Sequence, residues 1–253
     1  MKTGLKITLI AVGIAAIGST VFLAGFGGMY YKKRAEEQYG EALKFVAEAY
    51  PYADLAVPAD YVSRTQQGVT LMMPVNLEQL STDPESPKYN VYFSEDKTQM
   101  VMYQKPFDFG KLDLAEIDNN ASARLLEKFC RSMDREPLSD WYSYYDLIYH
   151  MTIDDCNIHS AKQAAVFESF AYAKSESVTG LYDTCWDWTN PAGDKGFIFM
   201  SERKERDSTL YPNGVYYSVL VELFDGNISY DTMIRADDLE TCCRIANSVQ
   251  IEK

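Results

Sequence analysis

The chain has 253 residues, of which 47% are hydrophobic and 24% charged, so it contains enough apolar material for a packed core. Its formal net charge is −13 at pH 7, and Lys32-Lys33-Arg34 is the only run of three consecutive basic residues. Nucleic-acid binding depends on Lys and Arg side chains that neutralise phosphates, so this balance argues against a nucleic-acid partner.

The first predicted element is the uncharged run from Ile7 to Tyr31. A helix rises ~1.5 Å per residue, so a run of this length can cross the ~30 Å hydrocarbon core of a bilayer. We therefore predict one transmembrane helix that anchors the chain in the lipid bilayer. A cleaved signal peptide is the alternative, because Met1 to Lys6 form a basic n-region. The uncharged run is longer than the apolar core of a typical signal peptide, and it lacks a small-residue cleavage site. Both features favour an anchor.

A short N-terminal tail ahead of a long polypeptide is typical of exported proteins, so we expect a single-pass protein whose C-terminal domain is extracytoplasmic. Residues 1–34 form the anchor with its basic flanks, residues 35–58 an amphipathic helix and linker, and residues 59–253 a globular α+β domain. The helix, predicted over residues 35–50, either continues the span as a stalk or folds back onto the domain. It is predicted from apolar residues at a 3.6-residue period, Tyr39, Ala42, Leu43, Val46 and Tyr50.

Two β-hairpins are predicted at the start of the globular domain. Tyr61–Gln66 and Val69–Met73 flank the turn pair Gln67-Gly68. The segment Ser81–Pro87 contains two prolines and no apolar residue, which indicates an exposed loop. Alternating apolar residues between Tyr89 and Tyr103 then predict the second hairpin.

The apolar period becomes that of a helix after Asp118. The first helix is expected to have Asn119 or Asn120 as its N-cap, and it carries the apolar residues Leu125, Leu126, Phe129 and Met133. Ser139 is expected to cap a second helix, which carries Trp141, Tyr144, Tyr145 and Ile148.

The next part of the sequence contains an ambiguous segment followed by clearer strands. Residues 164–176 fit either a helix or a strand, and the crowded aromatics favour a strand from Val166 to Tyr172. Tyr182–Thr189 and Gly196–Glu202 are predicted strands, separated by the turn-forming sequence Asn190-Pro191-Ala192-Gly193.

The clearest local signal is a hairpin over Val215–Ala236. Asp225-Gly226 is a preferred pair for a type I′ turn, which would place Leu223 opposite Ile228 and Glu222 opposite Ser229. A closing helix, Asp237–Ile251, is predicted from an apolar stripe of Leu239, Cys242, Ile245, Ala246 and Val249.

This order of elements, with the stretch Gly68-Val69-Thr70-Leu71-Met72-Met73-Pro74 near the start, resembles the PsbP-like superfamily. In that family a glycine, an apolar strand and a proline come early, and the chain ends with a long hairpin and a helix. The resemblance covers about residues 60–253 and implies an antiparallel β-sheet of hairpins covered by helices, an α/β/α sandwich. It also implies a binding or assembly module without catalysis. Residues 118–160 are longer than that fold needs, and no diagnostic motif carries a functional residue across.

Motifs for catalysis or metal binding are missing from the sequence. The sequence has two histidines, but it contains neither the G-x-S-x-G motif of a serine nucleophile nor the zinc-protease motif H-E-x-x-H. Cys156-Asn157-Ile158-His159 has metal-ligand spacing, but the second close pair of a structural zinc site is lacking. Asp183, Asp187 and the pair Asp154-Asp155 do not alternate as in a calcium loop. We therefore expect no metal and no cofactor, and we predict that most of the five cysteines are small buried side chains, although two disulfides could form and leave one thiol over.

Aromatic residues are the remaining candidates for a binding surface. Trp141, Tyr144 and Tyr145 lie in the second helix, and Trp186 and Trp188 point to one side of a strand. Flat rings with polar tips suit a ligand groove, although such rings are also typical of a core rim. We predict ligand binding by these five side chains in a membrane-anchored, non-catalytic binding or assembly domain with an envelope protein partner. The alternative is an extracytoplasmic hydrolase that uses carboxylates and holds its substrate in an aromatic-lined groove.

Overall fold

The computed structural model describes residues 26–80, 89–113, 122–178, 180–204 and 214–253. The predicted loop Ser81–Pro87 lies outside these residues, as does the predicted span Ile7–Tyr31 except for its last six residues, 26–31. Within the described part of the chain, no helix combines the length and the apolar character that a membrane crossing requires.

The described elements are five helices, one 3-10 turn and twelve strands. The helices are α1 (26–44), α2 (Ala123–Ser132), α3 (Trp141–His150), α4 (Ala161–Val178) and α5 (Leu239–Ala246), with the 3-10 turn at Ile153–Asp155. The strands are β1 (Glu48–Ala49), β2 (Tyr61–Gln66), β3 (Val69–Pro74), β4 (Glu78–Gln79), β5 (Tyr89–Phe93), β6 (Met100–Gln104), β7 (Phe107–Asp108), β8 (Thr184–Thr189), β9 (Lys195–Lys204), β10 (Val215–Asp225), β11 (Ile228–Ala236) and β12 (Gln250–Ile251). The protein is therefore mixed α+β with a large sheet, and the first two predicted hairpins, β2–β3 and β5–β6, are confirmed.

The chain forms two compact units. The first comprises residues 1–44, 113–138 and 150–179, and the second comprises residues 45–112, 139–149 and 180–253. The described part of the first unit is helical, and the sheets belong to the second unit.

The first unit is held together by α1, α2 and α4. Phe129 of α2 stacks on Phe170 of α4, with their ring centroids 5.4 Å apart. Helix α1 also packs within this unit, because Arg34 pairs with Glu168 of α4 at 2.6 Å. The helix ends at residue 44 instead of the predicted residue 50. The helix is continuous over residues 26–44, and the Arg34–Glu168 pair places it against α4.

The strand predicted for Val166–Tyr172 is wrong, because these residues lie in helix α4. Its buried residues include Phe167, Phe170, Ala171 and Lys174, which recur at the i, i+3, i+4 and i+7 spacing of one helix face. That spacing was a better guide than the β-propensity of the aromatic rings, since propensity is overridden by packing. The N-cap of α2 is likewise Ser122, whose side chain accepts from the Leu125 N–H, instead of the predicted Asn119 or Asn120.

The second unit is built on a nine-stranded sheet. Its order is β1-β8-β9-β10-β11-β6-β5-β4, with β7 also pairing with β11, and β1 runs parallel to β8. A smaller sheet has the order β12-β3-β2. The predicted strands Tyr182–Thr189 and Gly196–Glu202 are confirmed as β8 and β9.

The two faces of the large sheet bury different sets of residues. On one face, Val219, Val221 and Leu223 of β10 join a core cluster with residues of α5 and the smaller sheet. On the other face, Phe224 contacts α3, because its ring lies 5.5 Å from Tyr145 and 6.2 Å from Tyr142. Glu222 alternates with Val221 and Leu223 and so lies on the α3 face.

The β10–β11 hairpin has a different register from the predicted one. Asp225 pairs with Ile228 and Leu223 with Tyr230, so the central turn residues are Gly226 and Asn227. Gly226 has φ +59°, whereas Asn227 is not among the residues with positive φ. This pattern is typical of a type II′ turn, in which Gly occupies the first central position, and it spares Asp225 a positive φ. The slip of two residues keeps every side chain on its predicted face but changes its partner.

The C-terminal helix is shorter than predicted. Helix α5 begins at the predicted place, with Asp238 as its N-cap, but it ends at Ala246. Residues Gln250–Ile251 instead form β12, which pairs with β3. All five cysteines are buried, which confirms the prediction of small core side chains.

Candidate functional site

The five predicted site residues lie on two different faces of the large sheet. Trp186 and Trp188 of β8 belong to the core cluster, and each is only 5% exposed. The Trp186 ring packs against Tyr50 at 5.5 Å and Tyr52 at 5.7 Å, which leaves its faces covered. Trp141, Tyr144 and Tyr145 lie on α3 at the opposite face of the sheet. The structure therefore does not bring the two groups together, and ligand binding by all five stays a prediction.

The α3 group belongs to a larger cluster of rings, which we call the aromatic patch: Phe107, Phe109, Trp141, Tyr144 and Tyr145. Phe109 is its centre, 4.7 Å from both Phe107 and Trp141 and 5.9 Å from Tyr145. Tyr144 lies 5.4 Å from Trp141 and 5.3 Å from Tyr145. The five rings are thus contiguous, and all of them belong to the second unit.

Backbone hydrogen bonds position the two phenylalanines. Phe107 lies on β7 opposite Ser229, and the Phe109 N–H donates to the Asn227 carbonyl at 3.0 Å. The following turn is closed by Trp141, whose Nε1–H donates to the Gly110 carbonyl at 3.0 Å. Since an indole N–H fixes the ring plane when it is bonded, Trp141 is held against Phe109 in a stacked arrangement.

Helix α3 is held in register with this loop at its first turn. The Ser143 N–H donates to Oδ1 of Asp140 at 2.8 Å, so Asp140 accepts from the first turn where Ser139 was expected to do so. Phe107 and Phe109 were not among the predicted site residues, although they flank Asp108 directly after Pro106. A proline followed by alternating aromatics was the signal for a short edge strand that presents its rings on one side.

Two carboxyl groups lie beneath the helix that carries the patch. Glu222 of β10 and Asp231 of β11 are directly opposite each other, although Ser229 was the predicted partner of Glu222. Residues opposite each other in an antiparallel pair have Cβ atoms about 4.5–5.5 Å apart. Oδ1 of Asp231 is buried and has no hydrogen-bond partner among the described residues. The carboxyl pair is therefore desolvated without compensating hydrogen bonds at that atom.

Burial dominates the ionisation of this pair. It raises the pKa of Glu222 well above its usual range, and the charge of Asp231 raises that pKa further. Burial also raises the pKa of Asp231 to about 6, against an opposing hydrogen bond with Ser229. Two like charges this close in an apolar setting do not both ionise readily, so ionisation of one carboxyl group opposes ionisation of the other.

Tyrosines surround the carboxyl pair, and the described cations do not take part in its ionisation. The pKa of Tyr145 is raised, first by burial and then by the charge of Glu222. Burial followed by the same charge raises the pKa of Tyr149 and raises that of Tyr182 to about 12. The phenols are thus neutral donors at neutral pH, and Tyr145 links the aromatic patch to the carboxyl pair.

The other residues considered in the sequence have structural roles. Oδ2 of Asp183 accepts from the Glu202 backbone N–H at 2.7 Å. The thiol of Cys156 is buried, and burial raises its pKa to about 11, which is opposite to what a thiolate ligand or nucleophile needs. The His159 backbone N–H donates to Asn157 within the same loop. The described residues group no set of three metal ligands around Cys156 and His159.

The fold and the patch define an α+β protein with a contiguous aromatic surface. No known protein family matches the sequence, and no curated protein matches it. The chain is similar to a crystal structure from Bacteroides thetaiotaomicron VPI-5482, with a TM-score of 0.37 and 8% sequence identity. The match covers 77% of this chain and 49% of that chain, so this chain spans about half of that protein's length. Similarity at this level defines no family.

Proposed function

We propose that this protein is a membrane-anchored, extracytoplasmic, non-catalytic domain that binds an envelope protein through its aromatic patch. The main support for the proposal is the exposure of Phe107. Its side chain is 58% exposed at the edge of five contiguous rings. Aromatic side chains are enriched at protein interfaces because they offer large apolar area at low conformational cost. Tyr144 adds a polar tip that suits a rim in contact with water.

The anchor is proposed from the uncharged run Ile7–Tyr31, whose last residues belong to α1. There, Phe26, Met29 and Tyr30 are 62%, 60% and 55% exposed. Aromatic and apolar side chains beside basic residues are typical of the membrane–water interface, and Lys32-Lys33-Arg34 follow directly. Exposure of these three side chains therefore supports an apolar segment that leaves a bilayer at this point.

The finer fold assignment, a PsbP-like α/β/α sandwich, is part of the same proposal. It is supported by the long β10–β11 hairpin followed by α5, which is the ending expected of that family. Helices lie on both faces of the large sheet, since α3 contacts one face and α5 the other. The resemblance to that family implies a binding or assembly module without catalysis, which is the role proposed for this chain by analogy of fold.

The proposal is tested by site-specific photo-crosslinking of the full chain in its native membranes. A photoreactive phenylalanine at position 107 is expected to give a discrete protein adduct, and Trp141→Ala should weaken that adduct at least about tenfold because it removes the ring that stacks on Phe109. Val75 is a matched control position, since it is 62% exposed in the same unit and lies outside the patch. Identical adducts from both positions, or adducts to glycan alone, would contradict an envelope protein partner at the patch.

The anchor has a separate test, because membrane association does not depend on the patch. The full chain is expected to stay with the membrane after alkaline carbonate extraction and to be digested by protease added from the extracytoplasmic side. A chain that carbonate releases is not an integral membrane protein. Protection from the external protease would reverse the proposed orientation.

A second candidate function is favoured by the Glu222–Asp231 pair. One carboxyl group that retains its proton beside one that ionises is the arrangement used in general acid–base hydrolysis. In that case Glu222→Gln and Asp231→Asn would abolish the hydrolysis of chromogenic glycoside or ester probes. The exposed control Asp54→Asn would leave the hydrolysis unchanged. Absence of turnover with every probe, or turnover that survives both variants, removes this candidate.

A further inference from the structure

A basic groove lies between α2 and α4 in the first unit. It has a volume of about 660 Å³, and its lining includes Arg124, Lys128, Lys162, Leu125, Ala165 and Val166. The three basic side chains are exposed, whereas Val166 is buried and Leu125 and Ala165 are partly buried. The groove therefore has a cationic rim above an apolar floor.

The cations at this rim form no ion pair with another residue in the part of the chain that the structure describes. The basic cluster Lys32-Lys33-Arg34, which follows the predicted span, differs in this respect, because each of its cations has a carboxylate partner. Lys32, Lys33 and Arg34 lie 3.5, 3.6 and 2.6 Å from Asp154, Glu37 and Glu168. Three neighbouring cations without a described counter-charge stand out in a chain of net charge −13. They provide local attraction for an anion that the rest of the surface would repel.

The groove lies next to the start of α1. A Cβ atom on Gly27 would lie 3.0 Å from Cβ of Ala161, the first residue of α4, and Lys162 follows Ala161 directly. A Cβ atom on Gly28 would lie 2.1 Å from the Ile158 carbonyl oxygen, so the two backbones are in close contact. The first described residues of α1 therefore contact the N-terminal end of α4 and the residues just before it.

We propose that this groove binds the headgroup of an anionic phospholipid from the membrane in which the chain is anchored. The inference rests on the proposed membrane anchor. Arg124 and Lys128 lie one helical turn apart on α2, and Lys162 faces the same groove from α4, so the three can surround one phosphate. The apolar floor suits the glycerol and upper acyl region beside that phosphate. A free phosphate would leave this floor in contact with water, which favours the lipid.

The consequence concerns how the first unit is held at the membrane surface. A domain of this net charge is repelled by an anionic leaflet, and a tether alone leaves the domain free to turn away from the bilayer. A headgroup bound beside the start of α1 adds a second attachment within a few residues of the first. The aromatic patch belongs to the other unit.

The test uses the full chain in bilayers of phosphatidylcholine with a minor fraction of phosphatidylglycerol. Electron spin resonance of spin-labelled lipids measures the preference of the protein for phosphatidylglycerol over phosphatidylcholine. We expect the triple variant Arg124→Gln, Lys128→Gln, Lys162→Gln to lower this preference roughly tenfold, because each cation near the surface attracts anionic lipid. The matched control removes three exposed lysines of the second unit, Lys97→Gln, Lys105→Gln and Lys111→Gln, and should leave the preference unchanged.

The outcomes separate this inference from the proposed anchor. A wild-type chain that resists carbonate extraction but shows no phosphatidylglycerol preference retains its anchor and overturns the lipid site. An equal preference in the triple variant and the control overturns it as well. Binding of inorganic phosphate in solution, without any lipid preference in the bilayer, would reassign the groove to a soluble anion. Release of the wild-type chain by carbonate would overturn both the anchor and this inference.

Discussion

Glu222 and Asp231 are cross-strand neighbours, so the centre of the large sheet carries two acidic side chains side by side. Carboxyl groups are rarely placed opposite each other, since like charges in this arrangement destabilise a sheet. Here burial raises the pKa of both groups, and Glu222 is the more strongly affected. The strain of this arrangement is reduced when a proton is bound, which links the stability of the second unit to pH.

The first prediction concerns the direction in which the stability of the second unit changes with pH. A carboxyl group with a folded-state pKa above its unfolded value binds more protons when folded, so its contribution to stability is present at low pH and is lost as pH rises. The window opens near pH 4, the unfolded value, and extends to about pH 6 for Asp231, and the raised pKa of Glu222 widens it in the same direction. We expect Glu222→Gln to stabilise the second unit at pH 8 by about 1–2 kcal/mol and to have less effect at pH 4.

Tryptophan fluorescence measures this prediction well, because all three tryptophans lie in the second unit. Denaturant unfolding at several pH values gives the free energy of unfolding for each variant. Glu202→Gln is the matched control, since Glu202 is exposed on the neighbouring strand β9. A Glu222→Gln variant whose stability changes with pH in parallel with this control would show that the pair does not retain a proton.

Asp194 is expected to show the opposite pH dependence. Burial opposes its ionisation, but hydrogen bonds from Asn190 and from the Ile251 N–H prevail and lower its pKa. Its contribution to stability is therefore present above pH 4 and is lost as pH falls through the lowered pKa. We expect Asp194→Ala to destabilise the second unit by about 2–4 kcal/mol at pH 7, because buried donors lose their acceptor. Asp54→Ala, at an exposed turn, serves as the control, and equal losses in the two variants would contradict this role.

Close packing at Gly28 gives the third prediction. A methyl group there would lie 2.1 Å from the Ile158 carbonyl oxygen, so Gly28→Ala must displace backbone. We expect a loss of about 2–3 kcal/mol in the first unit, measured as faster hydrogen exchange in α1 and α4. Gly40 provides a matched control on the same helix, because no atom lies within 4 Å of its added Cβ. Gly40→Ala should slow exchange slightly by raising helix propensity, and slower exchange in both variants would argue against the tight contact.

The buried cysteines give the fourth prediction. Burial raises the pKa of Cys156 to about 11, so only about one thiol in a thousand is ionised at pH 8. Burial also raises the pKa of Cys242 and Cys243. We expect at least about hundredfold slower reaction with a disulfide reagent in the native protein than in denaturant. Rapid labelling of a cysteine without denaturant would show that its site opens locally.

Local sequence patterns predicted much of the second unit correctly. Strand period and turn pairs were sufficient for the β2–β3 and β5–β6 hairpins, and Asp238 was correctly placed at the start of α5. The β10–β11 register was wrong by two residues, because both Asp225-Gly226 and Gly226-Asn227 can form a two-residue turn. Only the conformation of Gly226, with its neighbour at negative φ, distinguishes them.

The site was harder to predict because it depends on contacts between distant parts of the chain. Trp141 and Trp188 have similar sequence surroundings, yet one lies in a surface patch and the other in the core. Phe109 meets Trp141 through the pairing of β7 with β11, which no local pattern specifies. The carboxyl pair was missed for the same reason, since a correct register is needed to place Asp231 opposite Glu222.

The course of α1 affects how a soluble fragment should be cut. The predicted boundary after Arg34 falls in the middle of a continuous helix, so a fragment starting at residue 35 would lose Gly28 and the Arg34–Glu168 pair together. The side of α4 that these residues cover would be left open to solvent, which invites aggregation during purification. A fragment that begins at residue 26 keeps the whole described helix and is the better starting point for expression.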